Sequence, residues 1–230
     1  MNVAYLLRLL LTAVAVVFAI VVHESAHALA AYLLGDRTAR SRGRMSLNPL
    51  RHVDPFGTVL LPLLLILAGG PVFAFAKPVP VYLGNLKHPK RDEVLVSLAG
   101  PASNILLACL AALVLRALSA DAGALAAMTG ASGALIGLAD FLLTSMAVNL
   151  SLAFFNLIPL PPLDGSSVLV PFLKGRALEG YYRLQRYAMP ILLVALYLLP
   201  QVGIDIVGAY FGVTMYPAYA ALASFALGLV

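Results

Sequence analysis

The sequence is short of charge. Asp, Glu, Lys and Arg make up 11% of its 230 residues, where ordinary soluble domains carry about 25%. Apolar side chains supply 62%, on a count that includes tyrosine and omits glycine, against roughly 45–50% in soluble proteins. Together these values exclude a water-soluble globule. Long polar stretches are missing too: the longest loop, 159–186, holds 28 residues, too few for a separate soluble domain. The single cysteine, Cys109, sits inside an apolar run. That excludes disulfides and thiolate metal clusters, and the side chain is expected to pack as a small hydrophobe. Residues 1–22 lack a basic start and a small-residue cleavage site, so their apolar run is expected to be a retained helix.

What is present is apolar sequence in membrane-sized lengths. Residues 57–76, 94–115, 141–163 and 206–230 contain no Asp, Glu, Lys or Arg, and roughly 20 such residues span a hydrocarbon core of about 30 Å. The pattern predicts an all-α, polytopic transmembrane helical bundle forming a single domain over 1–230, with helices near 3–34, 94–115, 134–158, 187–200 and 204–230. The net charge of +5 is assigned to cytoplasmic loops rather than to nucleic-acid binding. Loops 35–56, 77–93 and 159–186 hold five, four and four of the 15 basic residues. All three should face the cytoplasm. A single crossing by 57–76 would put its flanks on opposite sides. A re-entrant hairpin turning at Gly69–Pro71 solves the parity, since irregular backbone is tolerated at membrane depth where protein buries it. The rival solution, true crossings at both 57–76 and 117–132, leaves four basic residues outside.

The chemistry begins with His23-Glu24-Ser25-Ala26-His27. Positions i and i+4 of a helix lie on one face about 6 Å apart, so both imidazoles can hold one Zn²⁺. Glu24 stands beside them, placed to take a proton from water, which is the HExxH arrangement of metallopeptidases. In a lipid-embedded helix, unpaired polar groups cost several kcal/mol, roughly, so this triplet points to function. The extended metzincin pattern is absent, because Ala30 and Leu33 occupy its further positions. A third ligand must come from elsewhere, and Asp36, His52, Asp54, Asp140 and Asp164 are the candidates. Asp164 stands out because it closes Asn156-Leu-Ile-Pro-Leu-Pro-Pro-Leu-Asp164-Gly165, where the prolines end an apolar helix and the glycine allows a tight bend. A turn carboxylate before glycine is the plainer alternative.

Helix-borne HESAH, SLAGPASN at 97–104 and NLIPLPPLDG at 156–165 together resemble the site-2 protease family of intramembrane zinc metalloproteases. The resemblance covers about residues 15–170, the expected catalytic core (about 3–170), and is closest to short bacterial members with neither a PDZ nor a CBS domain. It implies that His23, His27 and Asp164 bind one zinc ion per chain. It also implies that Glu24 is the catalytic base and that Asn156 helps hold the substrate backbone or developing oxyanion. The hydrophobic insertion 57–76 departs from longer members.

The expected protein is therefore a multi-pass enzyme of the cell membrane, with its active site towards the cytoplasm, that cleaves transmembrane segments of other membrane proteins. Its partners are those substrates and the lipid bilayer. The target helix must unwind before attack, and the broken backbone at 159–165 or the polar loops can pair with the extended chain. The alternatives are a non-proteolytic zinc carrier, against which speaks the lack of further ionisable residues along the helices, and a client-binding pseudoprotease. Among lesser features, Asn104 and Asn149 are expected to bond between helices, Gly100-Pro101 to permit close packing, His52 and Asp54 to make loop hydrogen bonds, and Tyr181-Tyr182 to anchor at the interface.

Overall fold

A computed structural model describes residues 3–54, 57, 60, 64, 77–119 and 133–229. Among these residues every regular element is helical. Three long helices carry the fold: α1 (Val3–Leu33), α2 (Pro89–Ser119) and α3 (Gly133–Asn156). A 3-10 stretch, Asp164–Phe172, leads to a short α4 (Gly175–Leu184) and to α5 (Ala188–Leu193), which runs on as one π turn, Val194–Leu198. The chain closes with α6 (Ile206–Val213) and α7 (Met215–Leu227). Four segments are long and apolar enough to cross a bilayer: Tyr5–Leu33, Pro89–Ser119, Leu135–Asn156 and Ile206–Leu227. The expected all-α transmembrane bundle is what forms.

Two boundaries differ from expectation for identifiable reasons. The second helix starts at Pro89 rather than at the first apolar residue. Pro89 occupies the first helical position, which needs no N–H donor, and the Asp92 carboxylate accepts the free His88 amide at 2.8 Å. The final run breaks at Thr214 because Pro217 follows; proline is tolerated in the first turn of a new helix but not within a continuous one.

Small residues decide how the helices meet. Ala15, Ala19, Ala28 and Ala31 of α1, Ala108, Ala111 and Ala112 of α2 and Ala153 of α3 are buried, while Leu6, Leu10, Val14, Val17 and Phe18 point outward. Lipid is as apolar as leucine, so close backbone approach rather than hydrophobic burial favours such contacts. Lower in the bundle, Leu115, Leu142, Met146 and Ala226 form a core between α2, α3 and α7.

The pairings fix direction. Asn104 of α2 meets Ala19 and His23 of α1, while Val96 meets His27, so α1 and α2 are antiparallel. Ala108 packs by Leu150 and Leu115 lies near Met146, so α3 runs with α1 and delivers Asp164 to the end where the histidines lie. The expected hairpin at 57–76 falls largely outside the described residues. Its flanks are joined, however: the Lys77 amide donates to the His52 carbonyl at 3.0 Å, placing both on one side. Asp36 ties the end of α1 to the same region, accepting from the Tyr82 amide at 2.7 Å and the Asn85 side chain at 2.9 Å. Burial opposes its charge, but the bonds from Asn85, Thr38 and Tyr82 hold its carboxyl below the usual range.

Candidate metal centre

His23 and His27 project from one face of α1, their rings 4.6 Å apart and nearly perpendicular. Asp164 opens the 3-10 stretch after α3, and its Oδ2 lies 3.2 Å from His23 Nε2 and 3.4 Å from His27 Nε2. One ligand atom from each residue falls within 4.8 Å of the others. Among the described residues these are the only His, Cys, Asp and Glu side chains grouped closely enough to hold a metal ion.

The other side of each imidazole is already engaged. His23 Nδ1 is 2.6 Å from Asn104 Oδ1, and His27 Nδ1 is 2.7 Å from the Val96 carbonyl. Both acceptors require an N–H at Nδ1, which leaves a lone pair on each Nε2 facing Asp164. Asn104 is itself held, donating to the Ala19 carbonyl at 3.2 Å and to Asn149 Oδ1 at 2.9 Å. Asp164 Oδ2 is buried without a hydrogen-bond partner. A buried anionic oxygen facing two nitrogen lone pairs is costly unless a cation joins them. Two nitrogens and one carboxylate oxygen suit a tetrahedral divalent metal with one position left open. The residues fit such an ion.

Two glycines permit this approach. A Cβ on Gly100 would stand about 2.6 Å from His27 Cε1 and 2.7 Å from His23 Cε1, so α2 can lie this close to the histidines only without a side chain there. Gly165 serves the loop similarly: a Cβ would press on the carbonyls of Leu157 and Ile158, 2.9 Å from the latter. The anticipated tight bend is real, and close approach rather than a positive φ requires the glycine. Gly100→Ala is expected to wedge α2 off α1, and such overpacking typically costs about 1–3 kcal/mol. Thermal unfolding of the variant in detergent measures that cost.

A cavity of about 230 Å³ opens over the three residues. Glu24 and Asn156 line it, as do Ser97, Val96, Pro162 and, from the irregular segment before Tyr82, Pro78, Val79 and Val81. The Asn156 amide donates one N–H to the Leu152 carbonyl at 2.9 Å, which leaves the other N–H of that group. The remaining third-ligand candidates are placed elsewhere. Asp36 is bound by Thr38, Tyr82 and Asn85, Asp54 accepts from the Gly57 amide, His52 bonds the Ser46 carbonyl, and Asp140 pairs with Arg8 at 3.0 Å.

Sequence reasoning missed some of the support. Asn104 holds His23 as well as bonding between helices. Val96 contributes a backbone carbonyl, which no residue type signals. The tyrosine pair is more than a surface anchor: buried Tyr181 meets Ser166 Oγ at 3.0 Å, and Tyr182 donates to Glu93 at 3.1 Å. They peg α4 to the Asp164 stretch and to α2. Burial, and then the neighbouring Glu93 charge, push the Tyr182 phenol up to about 12.

Comparison with known proteins places this sequence among relatives. The model of "Peptidase family M50" matches residues 11–199. The chain is 42% identical over 147 residues to "Putative zinc metalloprotease YwhC" of Bacillus subtilis, a match covering 64% of this chain and 62% of that protein. It is 34% identical over 174 residues to "Putative zinc metalloprotease Rip2" of Mycolicibacterium smegmatis, covering 76% and 61%. With the Rip2 of Mycobacterium tuberculosis it shares 32% over 194 residues, 84% of this chain and 67% of that one. The chain thus spans about three-fifths of the length of the first two relatives. No solved structure matches it.

Proposed function

This chain belongs to peptidase family M50, the site-2 proteases, and we propose that it is a zinc-dependent intramembrane endopeptidase acting on transmembrane segments of other proteins. One observation carries the reading. Two imidazole nitrogens with free lone pairs and a buried, unpartnered carboxylate oxygen converge at one point, on a cavity that Glu24 lines. His23, His27 and Asp164 are the proposed ligands. Zinc bound there supplies a Lewis acid that polarises the scissile carbonyl and makes water acidic enough to lose a proton near neutral pH. Glu24 is placed to accept that proton and to return it to the leaving amine. Asn156 lines the cavity, and its second N–H is available to steady the substrate backbone or the developing oxyanion.

Position along α1 supports intramembrane cleavage. His23 lies ten residues before Leu33, about 15 Å along the helix, and thus inside the apolar span. By the positive-inside rule the Arg-rich loop after α1 faces the cytoplasm, so the cut falls towards that side of the cell membrane. A helical substrate keeps its carbonyls in hydrogen bonds, so helix-weakening Gly, Pro or Asn in the target should favour attack. The test uses purified protein in liposomes with a fluorescent single-span peptide carrying an Asn-Pro pair in its span. Fragments are expected from the zinc-loaded protein, none after chelation, and fragments again when zinc returns. Cleavage that persists through chelation would refute a metal-dependent reaction.

A further inference from the structure

Two buried polar residues outside the metal centre support one wall of its cavity, Arg44 through its side chain and His52 through its backbone, with the His52 ring fixing the loop that carries both. Arg44 is 6% exposed and His52 is 2% exposed. Burying such groups is unfavourable unless their hydrogen bonds are placed well, so where the bonds go is informative. Arg44 Nη2 donates to the carbonyls of Lys77 at 2.6 Å and Pro78 at 3.0 Å. The His52 carbonyl accepts the Lys77 amide at 3.0 Å. These three bonds hold the start of the irregular segment whose Pro78, Val79 and Val81 line one wall of the cavity. Its far end is pegged separately, by Tyr82 and Asn85 on Asp36.

The same loop is tied to the helix bearing the histidines. Ser25, between His23 and His27, donates to the Ser46 carbonyl at 2.8 Å. That carbonyl also accepts from His52 Nε2 at 2.7 Å, which makes Nε2 the protonated nitrogen. His52 Nδ1 has no hydrogen-bond partner among the described residues, so Nε2 makes the ring's one useful bond. Loop 44–52 is thus a spacer with Ser25 of α1 on one side and the 77–81 wall on the other.

We propose that Arg44 and His52 are positioning residues for substrate: they set the gap between the 77–81 wall and α1, and so the register in which an unwound chain reaches Glu24. The proposal rests on the peptidase reading of the cavity. It predicts a defect in binding rather than in chemistry, and a particular order of substitutions. The amide nitrogen of glutamine overlays imidazole Nε2, whereas that of asparagine overlays Nδ1. His52→Gln therefore keeps the bond to Ser46, and His52→Asn loses it.

The experiment compares parent, His52→Gln, His52→Asn and Arg44→Ala in liposomes with the fluorescent single-span peptide. Zinc content, thermal unfolding, KM and kcat are measured on each. A photo-cross-linking residue at Val79, in proteins also carrying Glu24→Gln, reads capture of the peptide without cleavage. His52→Asn and Arg44→Ala should raise KM about ten-fold, hold kcat within about three-fold, keep zinc and lower the cross-link yield. His52→Gln should stay within about two-fold of the parent throughout. Equal behaviour of the Gln and Asn forms, a fall in kcat at constant KM, or zinc loss in the Asn form would each overturn the proposal. If the parent cleaves nothing, the peptidase reading falls instead, and the cross-link from position 79 still decides whether Arg44 and His52 set the wall.

Discussion

Replacing His23 and His27 together by alanine is expected to leave a folded protein that retains no zinc and cleaves no peptide. Both imidazoles supply their Nε2 atoms to the proposed site, so the change removes two of three protein ligands and leaves one carboxylate oxygen, too little to hold the ion against solvent. The helix itself tolerates the change, since alanine is the best helix former. The packing cost is limited. Asn104 Oδ1 and the Val96 carbonyl lose their donors, each worth about 1–3 kcal/mol if left dry, but the space the two imidazoles vacate joins the cavity they line, so water can take their place. Metal analysis should therefore fall from about one zinc per chain to near none, with thermal unfolding still cooperative. Asp164→Ala should weaken retention in the same direction, because it deletes the buried oxygen that faces both histidines. Full zinc content in the double variant would place the metal elsewhere.

Glu24→Gln is expected to separate metal binding from chemistry. Glutamine matches glutamate in shape and stays on the cavity wall, and none of the three grouped ligand atoms belongs to residue 24. Zinc and fold should remain. Glutamine cannot accept the water proton, and general-base catalysis contributes typically ~10²–10⁴-fold, so turnover should drop by about that factor. A metal carrier using the same three ligands abstracts no proton for hydrolysis and would lose little.

The parts of the site readable from sequence were those encoded locally. His23 and His27 share a face because a helix repeats every 3.6 residues, and the prolines after Asn156 force a turn wherever they occur. Asp164 stands out among five candidates by its Pro-rich segment and by the family resemblance, but local sequence alone cannot bring it to the histidines. The antiparallel pairing of α1 with α2, and the parallel course of α3, brought it to the histidines. Val96 was invisible because it acts through a carbonyl. Arg44, expected with Arg40, Arg42 and Arg51 to meet anionic headgroups, is instead buried on the backbone carbonyls of Lys77 and Pro78, partners that no residue type signals, while His52 makes the expected loop hydrogen bond, to the Ser46 carbonyl. The break at Thr214 was legible in principle: Pro217 marks the start of a new helix.

The most direct measurement is mass-spectrometric mapping of peptide fragments, alongside zinc content, from liposomes holding either the parent or Glu24→Gln. Both proteins should carry zinc, and only the parent should yield fragments, with new termini inside the apolar span of the peptide and on its cytoplasmic half. Equal fragments from the zinc-loaded Glu24→Gln protein, or zinc flux across the liposome wall with no fragments from the parent, would contradict this account.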